Sequence, residues 1–189
     1  MEERVTIGEA FLNLNLDKSV KIIDIACGIG NVAAELVAEG YENIDGLDPI
    51  KGYLEVAKQR KLYQQYFRLS VDPGQNLPID NDTYDVVICC AGFFDGLMSP
   101  QVFPELIRIT KPKGILMWNI AEGYEEINKE LSKFDQIIDQ LRGSKKWDYY
   151  QPIQTFNRLV FSDGGASFLK GLSENGLDGK GFIYTMIKL

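Results

Sequence analysis

Two glycines and two aspartates are the residues in this sequence whose types and spacing suit ligand chemistry. Gly28 and Gly30 follow the apolar run VKIIDIA and precede a helical pattern that begins at Asn31. Glycine lets a backbone turn tightly and approach a ligand without a Cβ in the way, and the start of the next helix would present free N–H groups to that ligand. Asp48 lies 20 residues after Gly28, where a carboxylate can accept the hydroxyl protons of a ribose. The spacing predicts a crevice that binds a nucleoside.

The glycine spacing alone does not decide which nucleoside binds. Gly28, Gly30 and Ala33 also satisfy the G-x-G-x-x-[GA] pattern of nicotinamide-dinucleotide sites. Asp24, four positions before Gly28, favours a different ligand, because its carboxylate would repel a pyrophosphate but suits a positively charged group. S-adenosylmethionine (SAM) carries an ammonium and a sulfonium and has that charge. A chain without histidine also lacks the commonest group for moving a proton during hydride transfer.

The composition disfavours several classes of function. The absence of histidine from all 189 residues excludes Ser–His and Cys–His nucleophilic catalysis and makes a metal site unexpected. A net charge of −7 disfavours nucleic acid and anionic lipid as partners. We expect neither a membrane span nor a signal peptide, since no apolar run is long enough and the N-terminus is acidic. Three cysteines, two of them adjacent, argue against disulfides and predict a cytoplasmic protein.

The elements that would position these residues alternate between strands and helices. Apolar runs of strand length predict buried strands at residues 20–26, 44–47, 66–71, 85–90 and 115–120. Helical patterns lie between them at residues 31–39, 50–61 and 101–109. Pro49 is expected in the first turn of the second helix, and the tetrapeptide KPKG at residues 111–114 is expected to separate the third helix from the strand after it. Such a pattern predicts an α/β fold with a parallel sheet covered on both faces.

The C-terminal third has a different pattern. Residues 124–142 predict a long amphipathic helix, with apolar side chains at core spacing at Ile127, Leu131, Phe134, Ile138 and Leu141. Strands are predicted at residues 153–161 and 182–189, flanking a short helix near residues 167–174. We expect one domain, built from a short N-terminal helix within residues 1–19, a cofactor-binding half at residues 20–121 and an acceptor-side half at residues 122–189.

Four segments together resemble the class I, SAM-dependent methyltransferases. The segment DIACGIG is similar to their first motif through Asp24, Cys27, Gly28 and Gly30, and GLDP is similar to the second acidic motif through Asp48. LPIDNDTYDVVICC at residues 77–90 and KPKGIL at residues 111–116 resemble the turns that lead into the fourth and fifth strands. The resemblance implies a Rossmann-like fold, with a seven-stranded, mostly parallel sheet, an antiparallel C-terminal strand and helices on both faces.

The resemblance also implies which residues contact the ligands. SAM would be the methyl donor and S-adenosylhomocysteine the product, with contacts from Asp24, Ala26, Gly28, Gly30, Asp48, Pro49, Ile50, Val71, Asp72, Cys90, Ala91 and Gly92. Phe93 would lie at the junction with the acceptor pocket. Asp95 is the candidate general base or acceptor-orienting carboxylate, because the segment FFDG is expected at the mouth of the sheet. Trp118 and Asn119, late in the fifth strand, would either face the acceptor or pack in the core.

Methyl transfer from a sulfonium needs a base only where the acceptor must lose a proton, so a chain without histidine is compatible with it. We therefore expect a SAM-dependent methyltransferase that acts on a small molecule or a protein. A SAM-binding module without catalysis is one alternative, because only 19 residues precede the first predicted strand, where the family generally carries a lid over the cofactor. An NAD-dependent oxidoreductase is a second alternative, which Asp24 disfavours. The sequence leaves the acceptor and the oligomeric state open.

Overall fold

The computed structural model describes residues 6–93, 97–123, 133–156 and 180–189. In this part of the chain the helices and strands are, in order, α1 (Ile7–Leu12), β1 (Ile22–Ile25), α2 (Asn31–Ala38), β2 (Ile44–Leu47), α3 (Lys51–Arg60), β3 (Tyr66–Phe67), β4 (Tyr84–Cys89), α4 (Phe103–Ile109), β5 (Thr110–Ala121), α5 (Phe134–Gly143), β6 (Trp147–Tyr149), β7 (Gln154–Phe156) and β8 (Gly181–Lys188). One turn of 3-10 helix, Pro100–Val102, precedes α4. None of the described helices is long and apolar enough to cross a membrane.

The described strands form one sheet in the order β3-β2-β1-β4-β5-β8-β6, with β7 also paired to β8. Strands β1 to β5 run parallel, whereas β8 runs antiparallel to β5. β6 and β7 pair with opposite ends of β8, since Trp147 is opposite Lys188 and Phe156 is opposite Gly181. These two short strands therefore share one edge of β8. The described residues form eight strands, one more than the seven predicted, because β6 and β7 are two short strands at the same position across the sheet.

Two apolar clusters cover the two faces of the sheet. In β1 the side chain of Ile22 enters the cluster that contains α1, α2 and α3, and the next residue, Ile23, enters the cluster that contains α4 and α5. This alternation is the pleat of a strand whose neighbours lie on both sides. All four positions of β1 are buried, which explains why its sequence is apolar apart from Asp24 and shows no alternation of polar residues. The predicted α/β sheet with helices on both faces is confirmed.

The segment around Pro49 differs from its prediction. α3 begins at Lys51 with Ile50 as its N-cap residue, so Pro49 precedes the helix instead of lying in its first turn. The reason is that Oδ1 of Asp48 accepts the backbone N–H of Ile50 across 2.8 Å, which places Asp48 beside the start of the helix. β3 is also shorter than predicted, because β2, the strand it pairs with, ends at Leu47 opposite Phe67.

The tetrapeptide KPKG does not separate α4 from β5, and that prediction was wrong. β5 starts at Thr110, directly after α4, and the tetrapeptide lies inside it as a bulge. Tyr84 pairs with Thr110, whereas Val86 pairs with Ile115. The Nζ of Lys111 lies 2.9 Å from both carboxylate oxygens of Asp85 and ties the bulge to the neighbouring strand β4.

The C-terminal predictions are only partly covered by the described residues. α5 occupies the second half of the helix predicted at residues 124–142, and β7 and β8 fall within or close to the two predicted strands. β6 was not predicted. Residues 124–132 and 157–179 lie outside the described residues, and with them Ile127, Leu131 and the short helix predicted near residues 167–174.

Candidate nucleoside-binding site

The glycine loop, defined as residues 26–30, connects β1 to α2 at the carboxyl ends of the parallel strands. Its backbone turns sharply, with φ of 56° at Ala26, 54° at Gly28 and 87° at Gly30. The space where a Cβ of Gly28 would lie is open, with nothing within 4 Å. At Gly30 the same atom would lie 2.6 Å from Cδ1 of Leu62. Gly28 thus presents bare backbone to open space, whereas a side chain at Gly30 would meet Leu62 and would be strained by the left-handed φ.

Asp48, the first residue after β2, holds the glycine loop. Its Oδ2 accepts the N–H of Gly28 across 2.9 Å, while Oδ1 accepts that of Ile50. The side chain belongs to a residue that is only 5% exposed. A carboxylate oxygen has two lone pairs, so both oxygens keep capacity for a further donor. The sequence prediction that Asp48 lies beside the loop is consistent with this geometry.

The N-terminus of α2 opens into the same loop. Gly30 is its N-cap residue, and no side-chain cap is present at this end of the helix. The first N–H groups of a helix lack partners within the helix, so they remain available to a ligand. Arg60, at the end of α3, fixes the loop from the opposite side, because its Nη1 donates to the carbonyl of Ile29 across 2.7 Å and to Oδ1 of Asn31 across 3.0 Å.

Asp24 lies in β1 beneath the glycine loop and is 1% exposed. Its Oδ2 accepts the hydroxyl of Tyr63 across 2.7 Å. Its Oδ1 is one of two buried side-chain polar atoms in the described residues that have no hydrogen-bond partner. Burial, opposed by the Tyr63 hydrogen bond and reinforced by the charge of Asp48, raises the pKa of Asp24 to about 7. The site therefore contains a buried carboxyl oxygen whose hydrogen-bonding capacity is unused.

Tyr63 and Arg60 were missed by the sequence analysis. Tyr63 lies in the connection between α3 and β3, and its hydroxyl stays protonated because burial, with the nearby charge of Asp24, raises the pKa of the phenol well above its usual range. Neither residue belongs to a motif or follows a recognisable spacing. The contact with Asp24 joins positions 39 residues apart, which local sequence patterns do not report.

The end of β4 borders the glycine loop. Ala91 has a φ of 55°, and its N–H donates to Oδ1 of Asn119 across 2.7 Å. A Cβ on Gly92 would lie 3.2 Å from Cβ of Ala26 and would also meet Sγ of Cys89. The structure thus brings three predicted cofactor contacts, Cys90, Ala91 and Gly92, next to the loop, with Asn119 as a bracing residue.

The other predicted contacts lie around the ends of β2 and β3. Pro49 and Ile50 are exposed, Ile50 at 47%. Val71 is buried within the apolar cluster that contains α4 and α5. Asp72 is exposed, and its Oδ2 accepts the hydroxyl of Ser70 across 2.6 Å. These four, like the other predicted cofactor contacts, remain predictions.

The predicted acceptor residues lie mostly in the core. Phe93 packs against Phe103 and Phe134, with ring centroids 5.2 and 5.1 Å apart. Trp118 is 1% exposed and is stacked against Tyr184, at 5.2 Å and an interplanar angle of 4°. Asp95 lies outside the described residues. A role for any of them toward an acceptor stays a prediction.

Comparison with known proteins places this geometry in a family. A family of methyltransferase domains matches residues 22–114, which include the glycine loop, Asp24 and Asp48. Methyltransferase-like protein 27 of Homo sapiens is 32% identical over 131 residues, which are 69% of this chain and 52% of that protein. A SAM-dependent methyltransferase from Mesorhizobium loti has a TM-score of 0.64 at 14% identity, covering 97% of this chain and 98% of that one. The [4+2]-cyclase SpnF has a TM-score of 0.69 at 16% identity, covering 96% of this chain and 80% of that one.

The sheet order, the glycine loop and the family match define the class: the chain belongs to the class I, SAM-dependent methyltransferases. Within that class it is similar to methyltransferase-like protein 27, which the segments DIACGIGNVAAEL, AGFFDG and PELIRITKPKG also resemble. Membership confirms the predicted family, fold class and cofactor, SAM. The chain spans about half the length of the curated relatives it matches.

Proposed function

We propose that this domain binds SAM in the crevice beside Gly28 and Asp48 and transfers its methyl group to a small-molecule or protein acceptor. The observation that carries the proposal is the pair of acidic side chains next to the bare glycine loop. Asp48 accepts the N–H of Gly28, and Asp24 lies beneath the loop with one oxygen unpaired. A crevice with two carboxylates favours a cationic nucleoside over a pyrophosphate.

The residues present fit SAM group by group. Each oxygen of Asp48 already accepts one backbone N–H and has a further lone pair for a ribose hydroxyl. Oδ1 of Asp24 is buried without a partner, and a buried polar atom in that state costs free energy that a ligand donor would remove. An ammonium group supplies both the donor and the opposite charge. The open space above Gly28 leaves room for the ligand to approach.

When bound, SAM supplies a methyl group that its sulfonium already activates. The work of this chain is to hold the acceptor atom in line with that methyl group, at about 3–3.5 Å, an effect that can supply roughly 7–11 kcal/mol. The fixed loop and the bracing of Ala91 by Asn119 serve that positioning. Asp95 is our candidate for the base if the acceptor must lose a proton. Burial raises the pKa of Cys27 and of Cys89, so neither thiol is suited to act as a nucleophile.

Our proposal for the acceptor side rests on charge and on position. Phe93, Trp118 and Asn119 lie at or near the carboxyl ends of β4 and β5, the edge of a parallel sheet where ligands bind in open α/β folds. A net charge of −7 supports a partner other than nucleic acid.

We propose that the protein is cytoplasmic, because its three cysteines form no disulfides. We also propose that the chain forms a single domain.

A second candidate function is a SAM-binding module that does not methylate. The similarity to the [4+2]-cyclase SpnF, with a TM-score of 0.69, favours keeping this candidate, because one fold can carry unrelated chemistry. It predicts SAM binding without transfer to any acceptor.

Two experiments test the proposal. Calorimetric titration with SAM, S-adenosylhomocysteine and NAD should give binding of the first two only, and binding of NAD without SAM would overturn the assignment. Transfer of labelled methyl groups from SAM into fractions of a cell extract, with Asp48→Ala as the control, should then label a fraction only with the unsubstituted chain. Binding without any labelled fraction would favour the second candidate.

A further inference from the structure

Tyr63 is tied to the acidic residue beneath the glycine loop although it belongs to none of the motifs. Its hydroxyl donates to Oδ2 of Asp24 across 2.7 Å, and both residues are buried. Only Oδ1 of that carboxylate remains without a partner. The hydrogen bond therefore fixes the rotation of the carboxylate and decides which oxygen is left for another donor.

The ring of Tyr63 is held by two glycines that leave room for it. A Cβ on Gly46, in β2, would lie 2.9 Å from Cδ2 of Tyr63, and one on Gly30 would lie 3.3 Å from its Cε2. The ring also meets Tyr66 edge to face, with centroids 5.4 Å apart. The packing thus sets the position of the hydroxyl independently of any ligand.

We propose that Tyr63 is a positioning residue for SAM: it holds one oxygen of Asp24 so that the other accepts the ammonium group of the methionine portion. The inference rests on the proposed binding of SAM in this crevice. It gives Tyr63 a role in recognising the methionine portion of the ligand. A nucleoside without that portion has no ammonium group to bind the free oxygen of Asp24. Recognition of the ribose by Asp48 does not depend on it.

The same arrangement gives the affinity for SAM a pH dependence. The ionised form of Asp24 binds an ammonium group, and the pKa of Asp24 is raised to about 7, so the affinity rises as the pH increases through that value. The hydroxyl of Tyr63 favours the ionised form. The other titratable groups that act on Asp24 or are acted on by it lie at the carboxyl ends of β2 and β4 and in the glycine loop: Asp48, Cys89, Cys90 and Cys27.

The test compares ligands with and without the methionine portion. Dissociation constants for SAM, S-adenosylhomocysteine and 5′-methylthioadenosine are measured by calorimetry between pH 5.5 and 7.5 for the unsubstituted chain and for Tyr63→Phe. We expect Tyr63→Phe to raise the dissociation constants of SAM and S-adenosylhomocysteine by about tenfold, the effect of losing a hydrogen bond to a charged group. The rise in affinity with pH should also move to higher pH. Binding of 5′-methylthioadenosine should be unchanged.

Two further variants separate this role from general packing. Tyr41→Phe removes another buried tyrosine hydroxyl from the same apolar cluster, one that donates to the carbonyl of Leu16, and should leave all three dissociation constants unchanged. Gly46→Ala displaces the Tyr63 ring and should repeat the ligand pattern of Tyr63→Phe even if Tyr63→Phe fails to fold.

If Tyr63→Phe raised the dissociation constants of all three ligands equally, or of none of them, the proposed role of Tyr63 would be overturned. Failure of the unsubstituted chain to bind SAM would instead overturn the proposed function itself. The two failures are therefore distinguishable in one set of titrations.

Discussion

The backbone N–H of Gly28 and the Oδ2 of Asp48 are joined by a hydrogen bond of 2.9 Å that links the turn after β1 to the end of β2. The second oxygen of Asp48 accepts the N–H of Ile50 at the start of α3. One side chain therefore fixes the loop and the helix relative to each other.

This relationship predicts the effect of replacing Asp48 with its amide. In Asp48→Asn one oxygen becomes an NH₂ group, which must face a backbone donor at either Gly28 or Ile50. We expect the dissociation constant for SAM to rise by about 10- to 100-fold, the equivalent of roughly 1.5–3 kcal/mol for a lost hydrogen bond to a charged group. Calorimetric titration with SAM measures this change.

The matched control for that variant is Asp45→Asn. Asp45 is also buried in β2, where it accepts the hydroxyl of Tyr84 across 2.9 Å and the N–H of Gln65 across 3.1 Å. Its replacement should lower the free energy of unfolding by about 1–3 kcal/mol with little change in SAM affinity. Equal loss of SAM affinity in both variants would contradict a specific role for Asp48.

Gly28 and Gly40 allow backbone strain to be separated from ligand contact. Both have positive φ, 54° and 88°, and an added Cβ would meet nothing within 4 Å at either. Gly28→Ala and Gly40→Ala should each lower the free energy of unfolding by about 1–2 kcal/mol, the cost of alanine in a left-handed conformation. Only Gly28→Ala should also weaken SAM binding, because its methyl group would occupy the space through which we propose that SAM approaches. Urea unfolding and SAM titration of both variants decide the matter, and normal SAM binding by folded Gly28→Ala would refute the site.

The raised pKa of Asp24 predicts a pH-dependent cost to stability. Its pKa is about 7 in the folded protein and about 3.9 in an unfolded chain. Between these values the folded state binds more protons, so the free energy of unfolding falls as the pH rises from about 4 to about 7. Asp24→Asn does not titrate and can still accept the hydroxyl of Tyr63. Its stability relative to the unsubstituted chain should increase between pH 5 and pH 8, by on the order of 2 kcal/mol.

Urea unfolding of both chains at pH 5 and pH 8 measures that difference, and the comparison cancels the titration of all other groups. A stability gap that does not change with pH would mean that Asp24 is already ionised at pH 5. The variant should also lose most of its affinity for SAM, so that this position favours binding at the expense of stability.

Substitutions of Trp118 test whether this residue only packs in the core or also contacts the acceptor. Its ring is stacked on Tyr184 and lies 5.4 Å from the ring of Trp147. Trp118→Ala should therefore cost about 3–5 kcal/mol of unfolding free energy, the usual range for removing a large core side chain. Trp118→Phe should keep the fold and the SAM affinity. If labelled-methyl transfer by folded Trp118→Phe equals that of the unsubstituted chain, the core role is sufficient; selective loss of transfer would make Trp118 an acceptor contact.

The parts of the site that sequence reasoning predicted are those that depend on neighbouring residues. β1 and β4 are mostly apolar segments of strand length, and the turn at Gly28 needs a residue type that the sequence displays directly. The position of Asp48 could be predicted because a parallel strand ends next to the loop that follows its neighbouring strand. These features are local, or depend only on the order of the strands.

The features that were missed depend on contacts between distant segments. Tyr63 reaches Asp24 only after α3 has crossed the sheet, and Arg60 reaches Ile29 in the same way. The KPKG bulge requires Asp85 on the adjacent strand as a partner for Lys111. β6 has three residues, too few for a period of two to be recognised.

The pairing of Phe156 with Gly181 means that the chain leaves the sheet after β7 and re-enters it in β8 at adjacent positions. Gly181 is also opposite Ala121 of β5. The register of β8 is therefore set by β7 on one side and by β5 on the other. The entropy of closing a loop grows slowly with its length, by about 0.6 kcal/mol for each doubling. A connection between two such adjacent positions can therefore be lengthened at a small entropic cost. Phe156 and Gly181 fix the two ends of that connection, and the sheet itself places little constraint on its length.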